Sequence, residues 1–297
     1  LMPTPIIRNG KFSTGSDFQC GENVVIDVAE EVVIGDRCVL ADNTYLCGRK
    51  ITIGDDFYGC SWGFPGCSVH TGKPWESSAP VGRWLEIGRG RIDEEDAILT
   101  VGSRCTFHDS RIDLARMVAI GDDVGLSPEV VIYTHGYWQS VLEGYPCEYA
   151  PVVVNDRVIV GFRSLLLPGC VIGSGAVIGA QSVVTNTLEE ECVYAGNPAR
   201  LIKELETPGS AKREVILRRL LLDYQQTVEY RFGRGQHKGL IAVDYPAVDF
   251  CGVKLDVERL TVEGEEDERS DDLRWFLFTR GIRIYTKRRF KKLEKEW

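Results

Sequence analysis

Aliphatic residues return at every sixth position along IVGFRSLLLPGCVIGSGAVIGAQSVV, residues 159–184. A strand alternates every two residues and an amphipathic helix repeats near 3.6 residues, so neither common element explains this interval. A strict period of six predicts a solenoid whose flat sides each use six residues. The repeat is carried here by Val154, Val160, Leu166, Ile172, Ile178 and Val184.

The same register covers most of residues 24–194, with one slip before Ile53. We call the aliphatic residue position i; position i+1 is often Gly or Ala, and position i+4 is usually small. Further residues at position i are Val28, Ile34, Leu40, Leu46, Ile53, Val101, Phe107, Ile120, Leu126 and Ile132. The small residues at position i+4 include Cys38, Thr44, Cys105, Ser164, Cys170, Ala176 and Ser182.

This pattern predicts a triangular coil of about 18 residues per turn, with turns stacked at the ~4.8 Å spacing of neighbouring strands. Position i points inward and fills the prism, and position i+4 faces an interior with little room. Position i+1 is expected at a corner, where Gly tolerates unusual backbone angles. The predicted fold class is therefore mainly β.

Composition and charge narrow the function. A net charge of −9 argues against a general nucleic-acid binder. No apolar run approaches the roughly 18 to 20 residues that span a bilayer, and LMPTPIIRNG lacks a signal-peptide pattern, so we expect no membrane span. Three of the ten cysteines occupy i+4 slots and none forms a CxxC pair. We therefore expect inert buried thiols, no disulfide and a cytoplasmic location.

The repeat breaks after Ile132. IYTHGYW, residues 132–138, places His135 three residues after this inward position, and the loop 137–150 protrudes before the register restarts. An aromatic loop beside a histidine, inserted in a regular solenoid, indicates a site rather than core packing. The alternative is a surface loop histidine that makes one hydrogen bond.

Residues 151–205 resemble the last coils of the maltose, galactoside and polysaccharide O-acetyltransferases, and AGNPAR, residues 195–200, is the most specific motif. These proteins are hexapeptide-repeat acyltransferases, which form left-handed parallel β-helices. The hand comes from the resemblance alone, since the usual crossover rule favours the opposite one. The resemblance implies acetyl transfer from acetyl-CoA, with this cosubstrate in a cleft between two adjacent helices of a homotrimer.

In enzymes of this family a histidine after a mid-prism coil is the general base, which makes His135 the candidate catalytic residue. A neutral imidazole can take the proton of a sugar hydroxyl as the oxygen attacks the thioester carbon. The resemblance places the backbone donor for the resulting oxyanion near Gly161 and Phe162.

The resemblance also implies cofactor contacts, position by position. Arg200 and Lys203 match basic residues near the CoA phosphates, which Arg grips with paired donors and Lys with a point charge. A solvated basic chain segment is the alternative for Lys203. Phe162 stands where the family has a small residue and can narrow the pantetheine tunnel. The candidate cofactor-binding residues are Gly161, Phe162, Ala180, Thr185, Arg200 and Lys203.

Candidate acceptor-binding residues are His108, Asp109, Tyr137 and Trp138. The family often has Asn near the first of these, where this chain reads FHDS. His108 or Asp109 can hold a sugar hydroxyl or orient His135, and a tolerated corner residue is the alternative. Zinc needs at least three protein ligands, and the four histidines do not reproduce the pattern of the γ-class carbonic anhydrases, so we expect no metal.

Residues 1–207 are expected to form the β-helix domain, interrupted by insertions at about 57–100 and 137–150. The first insertion is rich in aromatic residues, which stack on sugar faces or cover the prism end. Residues 208–297 are expected to form a small α+β domain that serves acceptor choice or assembly. The aromatic residues of the first insertion include Trp62, Phe64, Trp75 and Trp84.

Within the C-terminal domain, residues 211–232 carry apolar residues at helical spacing. Strand-like runs follow, then a helix at DLRWFLFT and a strand at IRIYT, and the basic run KRRFKKLEKEW suits a solvated helix face. The apolar side of the first helix is expected to hold Val215, Leu217, Leu220, Leu221 and Tyr224.

The leading interpretation is an acetyl-CoA-dependent O-acetyltransferase that acts by direct transfer on a sugar or a polysaccharide precursor. An amino-sugar N-acetyltransferase is the nearest alternative, because the histidine chemistry is much the same. A catalytically silent β-helix scaffold is the alternative from a different class of protein.

Overall fold

The fold is mainly β, as predicted: a left-handed parallel β-helix of about eight turns is followed by a small α+β unit. The chain divides into two compact units, Leu1–Leu205 and Glu206–Trp297. The computed structural model describes residues 3–60, 86–87, 95–233, 241–288 and 290–292. The candidate sugar-stacking residues Trp62, Phe64, Trp75 and Trp84 lie outside these ranges.

Short strands linked by tight turns build the first unit. In chain order they are β1 Ile6–Thr14, β2 Gln19–Cys20, β3 Val25–Ile34, β4 Val39–Leu40, β5 Tyr45–Ile53, β6 Tyr58–Cys60, β7 Glu86–Ile87, β8 Ile98–Val101, β9 Thr106–His108, β10 Arg111–Ile112, β11 Val118–Ile120, β12 Gly125–Leu126, β13 Val131–Ile132, β14 His135–Gly136, β15 Glu148–Tyr149, β16 Val152–Val154, β17 Ile159–Val160, β18 Leu165–Leu166, β19 Val171–Ile172, β20 Val177–Ile178, β21 Val183–Val184, β22 Cys192–Ala195 and β23 Arg200–Glu204.

Three ladders of parallel strands form the three sides of the prism. Side one contains the second halves of β1, β3 and β5, then β8, β11, β16 and β19. Side two contains β2, β4, β6, β9, β12, β17, β20 and β22, and β23 closes it as an antiparallel strand. Side three contains the first halves of β1, β3 and β5, then β7, β10, β13, β18 and β21.

The chain runs from side three to side one and then to side two. We call the bend from side three to side one corner A, and the bend from side two to side three corner B. Corner A follows β10, β13, β18 and β21, whereas corner B follows β9, β12, β17 and β20. Each corner therefore presents a column of residues that are far apart in sequence.

The sixfold register lies inside the prism, as the sequence predicts. Every residue assigned to position i is at most 4% exposed. Burial also raises the pKa of the Cys38 thiol to about 11 and those of Cys105 and Cys170 to about 12. Since only the thiolate is reactive, these three cysteines act as small core residues.

The prediction that position i+1 favours glycine for its tolerance of unusual backbone angles is wrong. The left-handed backbone occurs two residues later, at position i+3, for example at Arg37, Arg104 and Gly169. At Gly161 glycine is required because neighbouring coils touch there: a Cβ would lie 2.6 Å from the Ala180 backbone nitrogen. Close approach of the backbones, and not an unusual φ angle, therefore selects glycine.

The first insertion is also narrower than residues 57–100. Phe57 is fully buried, β6 pairs with β4 and β9, and β8 pairs with β5 and β11, so both flanks belong to the ladders. Residues 57–60 and β8 therefore belong to the β-helix, and between them the described strand β7 pairs with β5 and β10.

The second unit consists of a four-stranded antiparallel sheet and two helices. The elements are α1 Ser210–Phe232, β24 Ile241–Asp244, β25 Ala247–Phe250, β26 Val253–Asp256, β27 Thr261–Glu263 and α2 Glu268–Phe278. Leu217, Leu221 and Tyr224 are buried as predicted, but Val215 is 67% exposed. The predicted strand IRIYT is irregular backbone. Neither helix of the described chain has the length and apolar character needed to cross a bilayer.

Candidate active site

His135 stands at the base of a hairpin that leaves the prism at corner A. β14 and β15 pair antiparallel, with His135 directly opposite Tyr149. The tip contains a short 3-10 helix, Val141–Glu143, which is capped by the Ser140 side chain. The interruption predicted from the sequence is thus an ordered hairpin with the histidine in its stem.

Asp113 holds the imidazole from the neighbouring coil. It follows β10, which pairs in register with β13, so its side chain reaches the segment that begins the hairpin. Its Oδ2 atom lies 2.7 Å from His135 Nδ1 and accepts from the Thr134 backbone N–H at 3.0 Å and the Thr134 hydroxyl at 2.6 Å. The Asp113 side chain is only 6% exposed, whereas that of His135 is 33% exposed.

This arrangement selects one tautomer of the imidazole. A carboxylate oxygen accepts hydrogen bonds, so Nδ1 of His135 carries the proton and donates to Asp113. Nε2 then carries the lone pair, and no hydrogen bond to it occurs within the described part of the chain. The pair can therefore work as a general base with Nε2 as the accepting atom.

Aromatic rings surround the imidazole. The Tyr149 ring is stacked on it, with centroids 5.5 Å apart and planes 22° apart, and Tyr137 lies 5.9 Å away at 39°. The two tyrosine rings are themselves 5.7 Å apart. The Arg116 guanidinium carbon lies 4.9 Å from the centre of the Tyr149 ring, which is a cation–π contact. Trp138 is 89% exposed at the hairpin.

A cavity of about 330 Å³ opens on side three beside the histidine. Its walls combine charged, aromatic and aliphatic groups, as is typical of sites for small polar molecules. The volume fits the reacting end of a small ligand. The lining residues are Arg111, Ile112, Asp113, Val131, Ile132, Tyr133 and His135.

No protein-family model matches the chain. The chain is 42% identical over 97 residues to the Saccharomyces cerevisiae protein named "Putative acetyltransferase YJL218W", covering 31% of this chain and 48% of that protein. It is 34% identical over 79 residues to the 2,3,4,5-tetrahydropyridine-2,6-dicarboxylate N-acetyltransferase of Staphylococcus aureus, covering 26% and 33%. The chain thus spans about half or less of these relatives.

Over these segments the chain is similar to two proteins named as acetyltransferases. Among solved structures, the polySia-specific acetyltransferase NeuO superposes with a TM-score of 0.42 and 20% identity, covering 76% of this chain and 98% of that one.

Three of the cofactor-binding candidates lie together at corner B. Gly161 and Ala180 touch on adjacent coils, and the Gln181 N–H donates to the Phe162 carbonyl at 2.7 Å. Phe162 is half-buried and Ala180 is exposed. The Gly161 N–H itself donates to the Ile178 carbonyl at 2.8 Å and is thus used between coils.

The other cofactor-binding candidates lie elsewhere on the prism. Thr185 is exposed and follows β21 at corner A, the same corner as His135. Arg200 and Lys203 are exposed on β23, at the end of side two. The structure therefore does not gather the six candidates at one corner of one chain.

The acceptor-binding candidates also divide between two corners. His108 ends β9 and Asp109 follows it at corner B, away from the hairpin. Burial lowers the pKa of His108 despite the nearby Asp109 carboxylate. Tyr137 and Trp138 lie on the hairpin of His135.

The prediction from the sequence does not include Asp113, whose carboxylate holds the His135 imidazole. It offers His108 and Asp109 for that role instead. A signal for it exists, because Asp113 directly follows the inward Ile112 and so puts a carboxylate at position i+1. That position is usually Gly or Ala in this chain.

Proposed function

We propose that this chain transfers an acetyl group from acetyl-CoA to a hydroxyl group of a sugar or a polysaccharide precursor. The observation that carries the proposal is the His135–Asp113 pair, with Nδ1 and Oδ2 2.7 Å apart, in the lining of the cavity on side three. The relatives named as acetyltransferases support acetyl-CoA as the donor. The buried thiols of the β-helix suit a reducing cytoplasm, where we place the protein.

In the proposed mechanism, Nε2 of His135 takes the proton of the acceptor hydroxyl as its oxygen attacks the thioester carbon. The imidazolium that forms is stabilised by the Asp113 carboxylate through the Nδ1–H hydrogen bond. Collapse of the tetrahedral intermediate expels the CoA thiolate, which receives the proton from His135. The ester and the free thiol are the products.

We further propose that the working site lies between two copies of the chain in a homotrimer. His135 stands at corner A and Gly161, Phe162 and Ala180 stand at corner B, so side three separates them on one prism. A cleft in which corner A of one copy faces corner B of the next brings the base and the cofactor-binding residues together.

His135→Ala tests this function. With acetyl-CoA and a panel of sugars and nucleotide sugars, thiol release by the variant is expected to fall about 10²-fold to 10⁴-fold, the range of a lost general base. Gln139→Ala, an exposed change in the same hairpin, is the control and should keep full activity. An intact His135→Ala protein with wild-type turnover would contradict the proposed role.

An amino sugar is the second candidate acceptor, because one of the relatives is an N-acetyltransferase. Alkaline hydroxylamine, applied to the product after removal of acetyl-CoA, separates the two products, since it cleaves an acetyl ester of a sugar hydroxyl and leaves an amide intact. A scaffold protein would show neither turnover nor heat of CoA binding by calorimetry.

The proposed role of residues 208–297 is acceptor choice or assembly. A change in the range of acceptors or in the oligomeric state on truncation after Glu206 would support it.

A further inference from the structure

We infer that Tyr149 is a positioning residue that stabilises the protonated form of His135 through the face of its ring. The inference rests on the proposed function, in which His135 gains a proton during each turnover. This contact adds to the stabilisation of the imidazolium that the Asp113 carboxylate provides. The hydrogen bond acts in the plane of the imidazole at Nδ1, whereas the stacked ring acts on its face.

Strand pairing fixes this contact. Tyr149 lies directly opposite His135 in the β14–β15 pair, and side chains of opposite residues project to the same side of a two-stranded sheet. The two rings are nearly parallel, at 22° and 5.5 Å. A cation within about 6 Å of the centre of a tyrosine ring is attracted by the negative face of that ring. The imidazolium meets this condition and the neutral imidazole gains much less.

Arg116 competes for the same ring. Its guanidinium carbon is 4.9 Å from the Tyr149 centroid, and its backbone N–H donates to the Thr134 hydroxyl at 3.0 Å, which anchors this turn beside the histidine. Its positive charge opposes a second positive charge on the imidazole. Tyr149 and Arg116 therefore act on the protonation of His135 in opposite directions.

The other charged or titratable groups near the imidazole come from each element around it. They are Asp113 and Arg116 after β10, Arg111 in β10, Tyr133 after β13, Tyr137 in the hairpin and Tyr149 in β15. Among the tyrosines, Tyr149 has the plane closest to parallel with the imidazole. The test accordingly compares Tyr149 with a tyrosine of the same hairpin that has no such contact.

The test is the NMR titration of the His135 imidazole, assigned with His135→Ala, in intact protein without substrate. In Tyr149→Leu the titration midpoint should move to lower pH by about 0.4 to 1.5 pH units, the equivalent of one cation–π contact. Tyr149→Phe keeps the ring face and should titrate like the wild type. Tyr145→Leu, at an exposed tyrosine of the same loop, is the control and should also leave the midpoint unchanged.

Turnover gives the second readout. In Tyr149→Leu the acid limb of kcat/KM should move to lower pH by the same amount, and the plateau should fall about 2-fold to 30-fold because the imidazolium loses the contact. Arg116→Gln should move the titration midpoint to higher pH. Where Tyr149→Leu does not fold, Tyr149→Met, which has no ring, gives the same comparison and should also move the midpoint to lower pH.

Equal midpoints in the wild type and Tyr149→Leu, or in the wild type and Tyr149→Met where Tyr149→Leu does not fold, would overturn the inference. The titration needs no acceptor, so it stands apart from the proposed function. Absence of turnover in every variant, including the wild type with the full acceptor panel, counts against acetyl transfer and leaves the titration to decide the role of Tyr149.

Discussion

Replacing Asp113 with Asn removes the charge that orients His135 and keeps the shape. Three donors converge on Oδ2, two from Thr134 and one from His135, while Oδ1 is buried and has no hydrogen bond within the described chain. An amide NH2 in the place of Oδ2 would face three donors. We therefore expect the carbonyl oxygen of the new amide to occupy that place, with its NH2 group buried at the Oδ1 position.

This orientation sets the size of the effect. The carbonyl still accepts from Nδ1–H, so the imidazole keeps its tautomer and remains a base. What is lost is the difference between a charged and a neutral hydrogen bond, about 1 to 1.5 kcal/mol, which corresponds to about tenfold in rate. The NH2 group buried without an acceptor should lower the free energy of unfolding by about 1 to 3 kcal/mol. Asp113→Ala removes the acceptor altogether and should cost about 10²-fold to 10⁴-fold in rate.

The assay is kcat/KM from thiol release, together with urea unfolding for each variant. Thr134→Val is the matched control, because it removes one donor to Asp113 and leaves the contact between Asp113 and His135. It should lose stability and keep most of its activity. An Asp113→Asn protein as inactive as Asp113→Ala would refute the reasoning, since it would mean that the amide has turned and inverted the tautomer.

Three further predictions concern the prism. Burial lowers the pKa of His108 below its ordinary 6.5, so the unfolded chain binds a proton that the folded chain resists, and stability should fall as pH drops through about 6.5; this loss should shrink in His108→Gln, measured by urea unfolding at pH 7.5 and 5.5. Iodoacetamide at pH 8 should label the exposed Cys147 quickly and Cys105 only after unfolding; rapid labelling of native Cys105 would contradict its burial. Gly161→Ala should cost about 1 to 3 kcal/mol, whereas Gly125→Ala, with no atom within 4 Å of its new Cβ, should cost much less in the same unfolding assay.

The inside of the prism could be predicted from the sequence because the period records it directly. A residue at position i meets the same surroundings on every side of every turn, so Ile34 and Ile178 are buried for the same reason. The backbone contacts at the corners could not be predicted in the same way. The recurrence of glycine at position i+1 is visible in the sequence, but its cause is not, because the need for glycine at Gly161 depends on the Ala180 backbone in the next coil.

The candidate site divides in the same way. The place of His135 at a break in the repeat could be predicted, because the hairpin interrupts a regular period and such an interruption is visible in the sequence. Asp113 is 22 residues away and reaches His135 only because β10 and β13 are neighbours on side three. Val215 shows a further limit: α1 has apolar residues on more than one face, so helical spacing alone predicts a buried Val215 that is in fact exposed.

The proposal of a shared site predicts that two variants, each inactive alone, regain activity when they are mixed. His135→Ala removes the base at corner A, and Ala180→Asp places a charge on the exposed surface of corner B where the cosubstrate arm is expected. If each working site uses corner A of one copy and corner B of another, mixed oligomers regain about one intact site in four after random exchange of the two variants. Thiol release should therefore return on mixing under conditions that allow exchange, whereas each variant alone stays inactive.

If both corners served one site within a single chain, every site in the mixture would carry one of the two defects, and no mixing ratio could restore turnover. A monomer by light scattering would exclude the shared site independently.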